Sequence, residues 1–173
     1  MRIEVVPGDI TTQDVEVVVN AANSRLLGGG GVDGAIHAAA GPRLLEECRR
    51  LRKTTHQDGL EVGDAVSTGG HDLPARWVVH TVGPNRHRGQ TDPALLASCF
   101  RRSLEVAAGL GARSVAFPAV SAGAYGWEVA EVARIAVAAV QQAEADGVTG
   151  DVELVRFVPF GAATSAAFAA AVA

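Results

Sequence analysis

A chain of 173 residues with 19 acidic against 15 basic side chains has a net charge of −4, which argues against electrostatic binding to long nucleic acids, since that needs a basic face. Its composition is 48% hydrophobic but only 5% aromatic, enough for one domain over residues 1–173 with closely packed helices on a sheet, and it contains no run of about 18 apolar residues to span a bilayer. Cys48 and Cys99 have no CxxC partner, the five histidines have no zinc-ligand spacing, and the N-terminus has no signal-peptide h-region, so a reduced, cytoplasmic protein without a metal or other cofactor is expected.

In chain order, Arg2 to Val6 reads as a strand stopped by Pro7-Gly8, and Val15 to Val19 as a second whose β-branched run suits burial on both faces. The turn between them leaves Asp9 at the edge of the sheet. After a glycine-rich stretch, Val32 to Ala40 begins a helix, and Pro42 opens another to about Arg52, as proline does at a first helical position. Lys53 to Gly63 is irregular, and Asp64 to Thr68 and Trp77 to Val82 supply two more strands. Gly83-Pro84 ends the latter and leads into a surface loop over Asn85 to Thr91. A helix from Pro93 to Ala108, a strand from Ser114 to Phe117, a helix from Val129 to Ala145, a strand from Val152 to Pro159 and a helix from Ala162 to Val172 complete the chain. This alternation predicts a three-layer α/β/α sandwich with a mostly parallel sheet, whose ligand crevice lies beyond the C-terminal ends of the strands.

Two segments point at that crevice. Asn20 to His37 packs two amides, four consecutive glycines and the Asp33 carboxylate between a strand and a helix. Glycines let backbone N–H groups press against a ligand, and the first N–H groups of a helix attract anions, so a phosphorylated ligand is the first expectation. The second segment, Pro118 to Gly126, again follows a strand and precedes a helix, and the last strand brings Phe160 to the same end. Ser121 in this loop is either a phosphate-side donor or a residue that shapes the turn. Asn20 and Asn23 have the alternative of serving backbone groups in a tight loop, and His37 and His80 that of hydrogen-bonded structural histidines.

Known nucleotide motifs do not fit. Gly29 to Gly34 matches GxGxxG literally, but eight residues, Asn20 to Leu27, separate Gly28 at the head of the glycine run from the preceding strand, and Glu46 and Glu47 fall within a helix rather than at a strand end. No Lys-Ser/Thr follows the glycines, which excludes a Walker A loop, and no Gly-x-Ser-x-Gly elbow is present.

Taken together, Gly8-Asp-Ile-Thr11, Val19-Asn-Ala-Ala-Asn23, Leu27 to His37, Ala40-Gly-Pro42, His80-Thr-Val-Gly-Pro84 and Phe117 to Gly126 resemble the macrodomains of the MacroD-like class. The resemblance implies a mixed six-stranded sheet and an ADP-ribose pocket. By this analogy Asp9 accepts from the adenine amino group, the Ile10 backbone holds the ring, and Phe160 lies against it. Asn23 bonds the distal ribose hydroxyls, Ala22 belongs to the ADP-ribose-binding set, Gly30, Gly31 and Val32 line the distal ribose and diphosphate, and Ser121, Ala122, Gly123, Ala124 and Tyr125 close over the phosphates. Ala122 and Ala124 stand where relatives commonly carry threonine and a β-branched residue.

Hydrolysis of an ADP-ribosyl ester needs a positioned water, and Asp33 is the carboxylate of the motif close enough to orient it, at a helix N-terminus whose dipole favours a negative charge. The implied activity is metal-independent removal of mono-ADP-ribose from Glu or Asp side chains, with deacetylation of O-acetyl-ADP-ribose, Asn23 orienting the ribose and Asp33 the water. Expected partners are ADP-ribose and mono-ADP-ribosylated proteins, with the chain a monomer. The alternatives are a non-catalytic reader of ADP-ribosylated partners, an ADP-ribose-1″-phosphate phosphatase and an NAD-binding Rossmann protein.

Overall fold

The β-branched runs become strands and the alanine-rich segments helices in the computed structural model, which describes residues 1–173. The strands are β1 (Arg2–Val5), β2 (Val17–Ala22), β3 (Ala65–Gly69), β4 (Trp77–Val82), β5 (Ser114–Phe117) and β6 (Leu154–Phe157). The helices are α1 (Gly31–Ala40), α2 (Pro42–Lys53), α3 (Pro93–Gly109), α4 (Val129–Ala145) and α5 (Ala162–Val172), with short 3-10 turns at Ile10–Thr12 and Arg86–Arg88. The sheet order is β1-β6-β5-β2-β4-β3, parallel throughout except where β3 runs antiparallel to β4. This is the three-layer α/β/α sandwich with a mostly parallel sheet that the alternation of elements predicts, with the mixed, six-stranded sheet that the resemblance implies.

Pleating decides which side chain meets which layer, because successive residues of a strand point to opposite faces. Val17 and Val19 of β2 enter the larger apolar cluster, shared with α3, α4 and α5, and Val18 and Ala22 enter the smaller one, shared with α1 and α2. All three valines are essentially inaccessible, each stabilising by about 1.5–3 kcal/mol as a fully buried side chain. Four of the five phenylalanines anchor the larger cluster: Phe100, Phe117, Phe157 and Phe168 form a chain of rings with centroids 5.0–6.3 Å apart. The fifth, Phe160, is 86% exposed.

Two strands depart from the local pattern by more than one residue. β2 begins at Val17 rather than Val15 and continues through Asn20, Ala21 and Ala22, because its pairing with β4 runs in register to Ala22 opposite Val82. Pairing across the sheet therefore overrides the weak strand propensity of Asn and Ala. β6 is shorter than expected, since Val152 is held in a turn by its N–H bond to Thr149 and Pro159 has no N–H to give.

The extension of β2 has a consequence for polar groups. Asn20 alternates with Val18 and Ala22, and His80, opposite it on β4, alternates with Val78 and Val82, so both side chains face the α1–α2 layer. Thr68 of β3 joins them there. A polar row is thus built into an otherwise apolar layer.

Candidate active site

The chain reverses direction across the sheet between β2 and β5, and the loops that follow these two strands face each other across a cleft of about 550 Å³. Such a switch point beyond the strand C-termini is where open α/β sheets bind ligands, and the volume suits a small organic molecule.

The first wall is the glycine loop. Gly28 and Gly31 have φ of +87° and +58°, a region that costs other residues strain. Gly30 caps α1 without any side-chain acceptor, so the first-turn N–H groups of Gly31, Val32 and Asp33 are left for a ligand. Asn23 shapes the loop by donating from Nδ2 to the Gly28 carbonyl (3.1 Å) and accepting at Oδ1 from the Arg25 N–H (3.0 Å). Gly29 lies between the two polar side chains of the wall: a Cβ there would stand 3.1 Å from Asp33 Oδ2 and 3.3 Å from Asn23 Nδ2.

Gly34, inside α1, receives the Gly29 carbonyl so closely that a Cβ would lie 2.7 Å from its oxygen. The variant Gly34→Ala must displace the loop. The expected cost is about 1–3 kcal/mol of overpacking, seen as a melting temperature lowered by roughly 2–4 °C per kcal/mol. An unchanged melting curve would show that the loop is not seated on the helix.

The second wall is the loop over Pro118 to Trp127. Ser121 adopts φ of +67° and is buried, and its hydroxyl donates to the Pro84 carbonyl at 2.9 Å, which also accepts from Trp127 Nε1 at 3.0 Å. That hydroxyl proton is therefore committed to the turn, and Ser121 offers a ligand its backbone N–H instead. Tyr125 likewise presents an N–H with no partner in the protein. Gly83 makes the junction possible, since any side chain there would collide with Ser121 Oγ and with Val120 Cγ1. The Arg86 guanidinium lies 4.1 Å over the Trp127 ring and pairs with Glu131 at 2.6 Å, fixing the far end of the loop.

Asp33 occupies the floor where the walls meet, 5% exposed. Its Oδ1 accepts from Asn20 Nδ2 at 2.8 Å, and the same amide nitrogen donates its second proton to His80 Nδ1 at 3.1 Å. His80 Nε2–H then donates to Thr68 Oγ1 at 2.9 Å, and the threonine hydroxyl to the Gly69 carbonyl. Complete burial pushes the His80 imidazole down to about 3, with His37 nearby adding to the shift, so the ring is neutral. One carboxylate oxygen of Asp33 is thus fixed from behind through three strands, and the other faces the glycine loop. His37 comes within 3.4 Å of Asp33 Oδ1, but its buried Nε2 makes no hydrogen bond, unlike the bonded histidine expected. Asn20 serves side chains, not the backbone of a loop.

Among the expected site residues, Ala22, Asn23, Gly30, Gly31, Val32, Asp33, Ser121 to Tyr125 and Phe160 all line the cleft. Asp9 and Ile10 do not. Asp9 caps the turn Ile10–Thr12, where the Thr11 hydroxyl and N–H hold its carboxyl below the usual carboxylate range, and Ile10 is buried in the α1–α2 layer. Both remain at the cleft end of the sheet, beside Pro159, through the Gly8 N–H bond to the Pro159 carbonyl. Gly29, within the expected glycine stretch, also lines the cleft, as do Gly83, Val129, Val158 and Thr164, which the sequence reading does not place there. The Gly83-Pro84 stop that ends β4 was the available signal for one of them.

Asp33 is the one acid, and no lysine or arginine lines the cleft, so an anion bound here is held by backbone N–H groups. Cys48 behind Asp33 is no nucleophile, since burial and the Asp33 and Glu47 charges push its thiol up to about 12. No group of three or more His, Cys, Asp or Glu side chains is arranged to hold a metal ion.

Fold and cleft define an α/β/α ligand-binding domain with a backbone-lined anion cradle and a single fixed carboxylate at its floor. The chain belongs to the macro domain family, whose model matches residues 19–136. It is 56% identical over 136 residues to the O-acetyl-ADP-ribose deacetylase of Cronobacter sakazakii, covering 78% of this chain and 74% of that one. Among solved structures it is similar to the Oceanobacillus iheyensis macrodomain with ADP, at 40% identity and a TM-score of 0.88, covering 97% of this chain and 88% of that one. It is also similar to the Trypanosoma brucei macrodomain in complex with ADP-ribose, at 36% identity and a TM-score of 0.86, covering 99% of this chain and 69% of that one.

Proposed function

We propose that this protein binds ADP-ribose in the cleft and hydrolyses the ester that joins its distal ribose to a Glu or Asp side chain, and equally the acetyl ester of O-acetyl-ADP-ribose. The observation that carries the reading is Asp33: one oxygen is held by Asn20 and the other faces a ligand space walled by unpaired N–H groups. The named activity of the Cronobacter sakazakii relative and the bound ADP-ribose of the Trypanosoma brucei structure support it.

In this reading the diphosphate lies between the N–H groups of Gly31 and Val32 and those of Ser121 and Tyr125, and adenine extends toward Phe160, with Asp9 and Ile10 at the same end. An 86% exposed phenylalanine on a cleft rim is a face awaiting a ring. Asn23 orients the distal ribose. Asp33 orients a water and, as it attacks the acyl or the anomeric carbon, its proton passes to Asp33 or to the substrate's own phosphate. The ester C–O bond breaks, with the departing ribose oxygen retaking that proton in the acyl route and the carboxylate leaving unprotonated in the anomeric one, and the products are a free carboxylate and ADP-ribose. Positioning carries much of the rate, because a weakly basic carboxylate is a modest general base.

Incubation with Glu-, Ser- and Arg-linked ADP-ribosyl substrates and with O-acetyl-ADP-ribose tests this directly. Release is expected from the glutamate ester, together with acetate from the acetyl ester. Persistent modification beside tight ADP-ribose binding in calorimetry would instead make the protein a reader.

A further inference from the structure

Next to the cleft lies a second depression of about 400 Å³, and Asn23, Gly83 and Tyr125 line both. The two spaces therefore meet at the end of the cleft that carries Asn23. The charged residues lining the second space are Arg25 and Arg88, and no carboxylate lines it.

These two arginines are among the eight of the chain's fourteen that pair with no acid. Arg43, Arg86, Arg101, Arg102 and Arg156 each pair with an acid, whereas the exposed guanidinium groups of Arg25 and Arg88 pair with none. Their backbones are nonetheless fixed. The Arg25 N–H donates to Asn23 Oδ1 and its carbonyl accepts from Arg52 Nη1. Arg88 ends a 3-10 turn capped by the Asn85 side chain, and the Asn85 N–H is in turn held by Gln90 Oε1 at 2.8 Å. Two cationic forks are thus mounted on rigid turns beside the Asn23 end of the cleft.

We infer that the second depression is an acceptor subsite for acidic peptide, holding carboxylate-bearing residues that flank the modified side chain of an ADP-ribosylated protein. This rests on the hydrolase reading above, in which Asn23 orients the distal ribose and so places the group attached to it beside this second space. Guanidinium forks match carboxylates in geometry, and Val62 and Val82 give the aliphatic stems of such side chains an apolar surface. A nucleic-acid acceptor fits less well: Tyr125 is the one aromatic lining the depression, and the chain's net charge is −4.

The test uses ADP-ribosyl peptides in which an amide replaces the scissile ester, one with glutamates on both flanks and one with glutamines. Calorimetry is expected to show the acidic peptide binding about fivefold tighter at low salt, as two exposed charge pairs allow. The preference should fade at about 0.5 M salt. The double variant R25Q/R88Q should bind both peptides alike while keeping wild-type affinity for free ADP-ribose and wild-type turnover of O-acetyl-ADP-ribose. Equal peptide affinities in the wild type, with free ADP-ribose bound normally, would overturn the acceptor subsite alone. Loss of free ADP-ribose binding in the double variant would likewise overturn it, by placing the arginines in the first cleft. Tighter binding of an oligonucleotide ADP-ribosylated at its terminal phosphate would replace the peptide with nucleic acid. Failure of the wild type to bind free ADP-ribose would overturn both readings. Failure to turn over the ester with ADP-ribose bound would overturn the hydrolase alone, since the peptide comparison reads binding.

Discussion

Replacing Asp33 with asparagine is expected to lower turnover of a glutamate-linked ADP-ribosyl substrate by a factor of about 10²–10⁴, the usual contribution of a positioned acid or base. ADP-ribose affinity should be nearly unchanged. Asparagine keeps the shape of the side chain and can still accept from Asn20 Nδ2, so the buried row of Thr68, His80 and Asn20 retains its partner. What it loses is the charge and the basic oxygen facing Gly29. The loss should therefore fall on kcat with KM little altered, the pattern of an interaction made in the transition state. A variant as fast as wild type would move activation of water to the substrate's phosphate and leave Asp33 a structural role. Alanine is the poorer choice, because it strands a buried Asn20 donor at a cost of about 1–3 kcal/mol and confuses chemistry with folding.

The layer architecture and the composition of the cleft were legible in the sequence for a definite reason. Valine runs alternating with alanine-rich helices leave few arrangements other than a parallel sheet between two layers, and glycine or proline stops mark the strand ends where ligands bind. The sequence places the glycine loop, Asn23, Asp33 and the Ser121 to Tyr125 loop at these strand ends, and all line one cleft. What escaped was information carried by the partner rather than by the segment itself. Asn20 reads locally as the start of a loop, and it is a strand residue because His80 lies opposite it. The Ser121 hydroxyl looks free for a phosphate until Pro84, 37 residues away, claims its proton. The second depression gathers Arg25, Val62 and Arg88 from three separate segments, and no local pattern relates them. His37 has spacing for a contact with Asp33 one helical turn away, yet spacing does not reveal that its Nε2 lacks a hydrogen bond.

Lowering the pH from about 6.5 to about 4.5 should destabilise this fold by roughly 2–3 kcal/mol, with His80 the principal cause. The sign follows from the two states. In the unfolded chain a histidine titrates near 6.5, whereas in the folded protein burial holds His80 down to about 3. Above pH 6.5 neither state carries the proton and there is no penalty. Below it the unfolded chain gains a proton that the folded protein refuses, so stability falls steadily as the pH drops toward 3. Asp9, Asp14 and Asp146, each held below the ordinary carboxylate value by a hydrogen bond, add their own losses only below about pH 4, beneath this window. Denaturant unfolding at pH 7, 5.5 and 4.5 reads the slope. His80→Gln, which can still donate and accept within the sheet, should be less stable at pH 7 but nearly flat across the range. An identical slope in the variant would assign the loss elsewhere. Protonation has a second effect at the same atoms. A charged imidazole carries a proton on Nδ1 and can no longer accept from Asn20 Nδ2, so the amide that holds Asp33 Oδ1 loses one of its two anchors. Folded His80 takes up that proton only near pH 3, so this loss of anchoring should reach hydrolysis below the range in which the fold weakens, and His80→Gln should not show it.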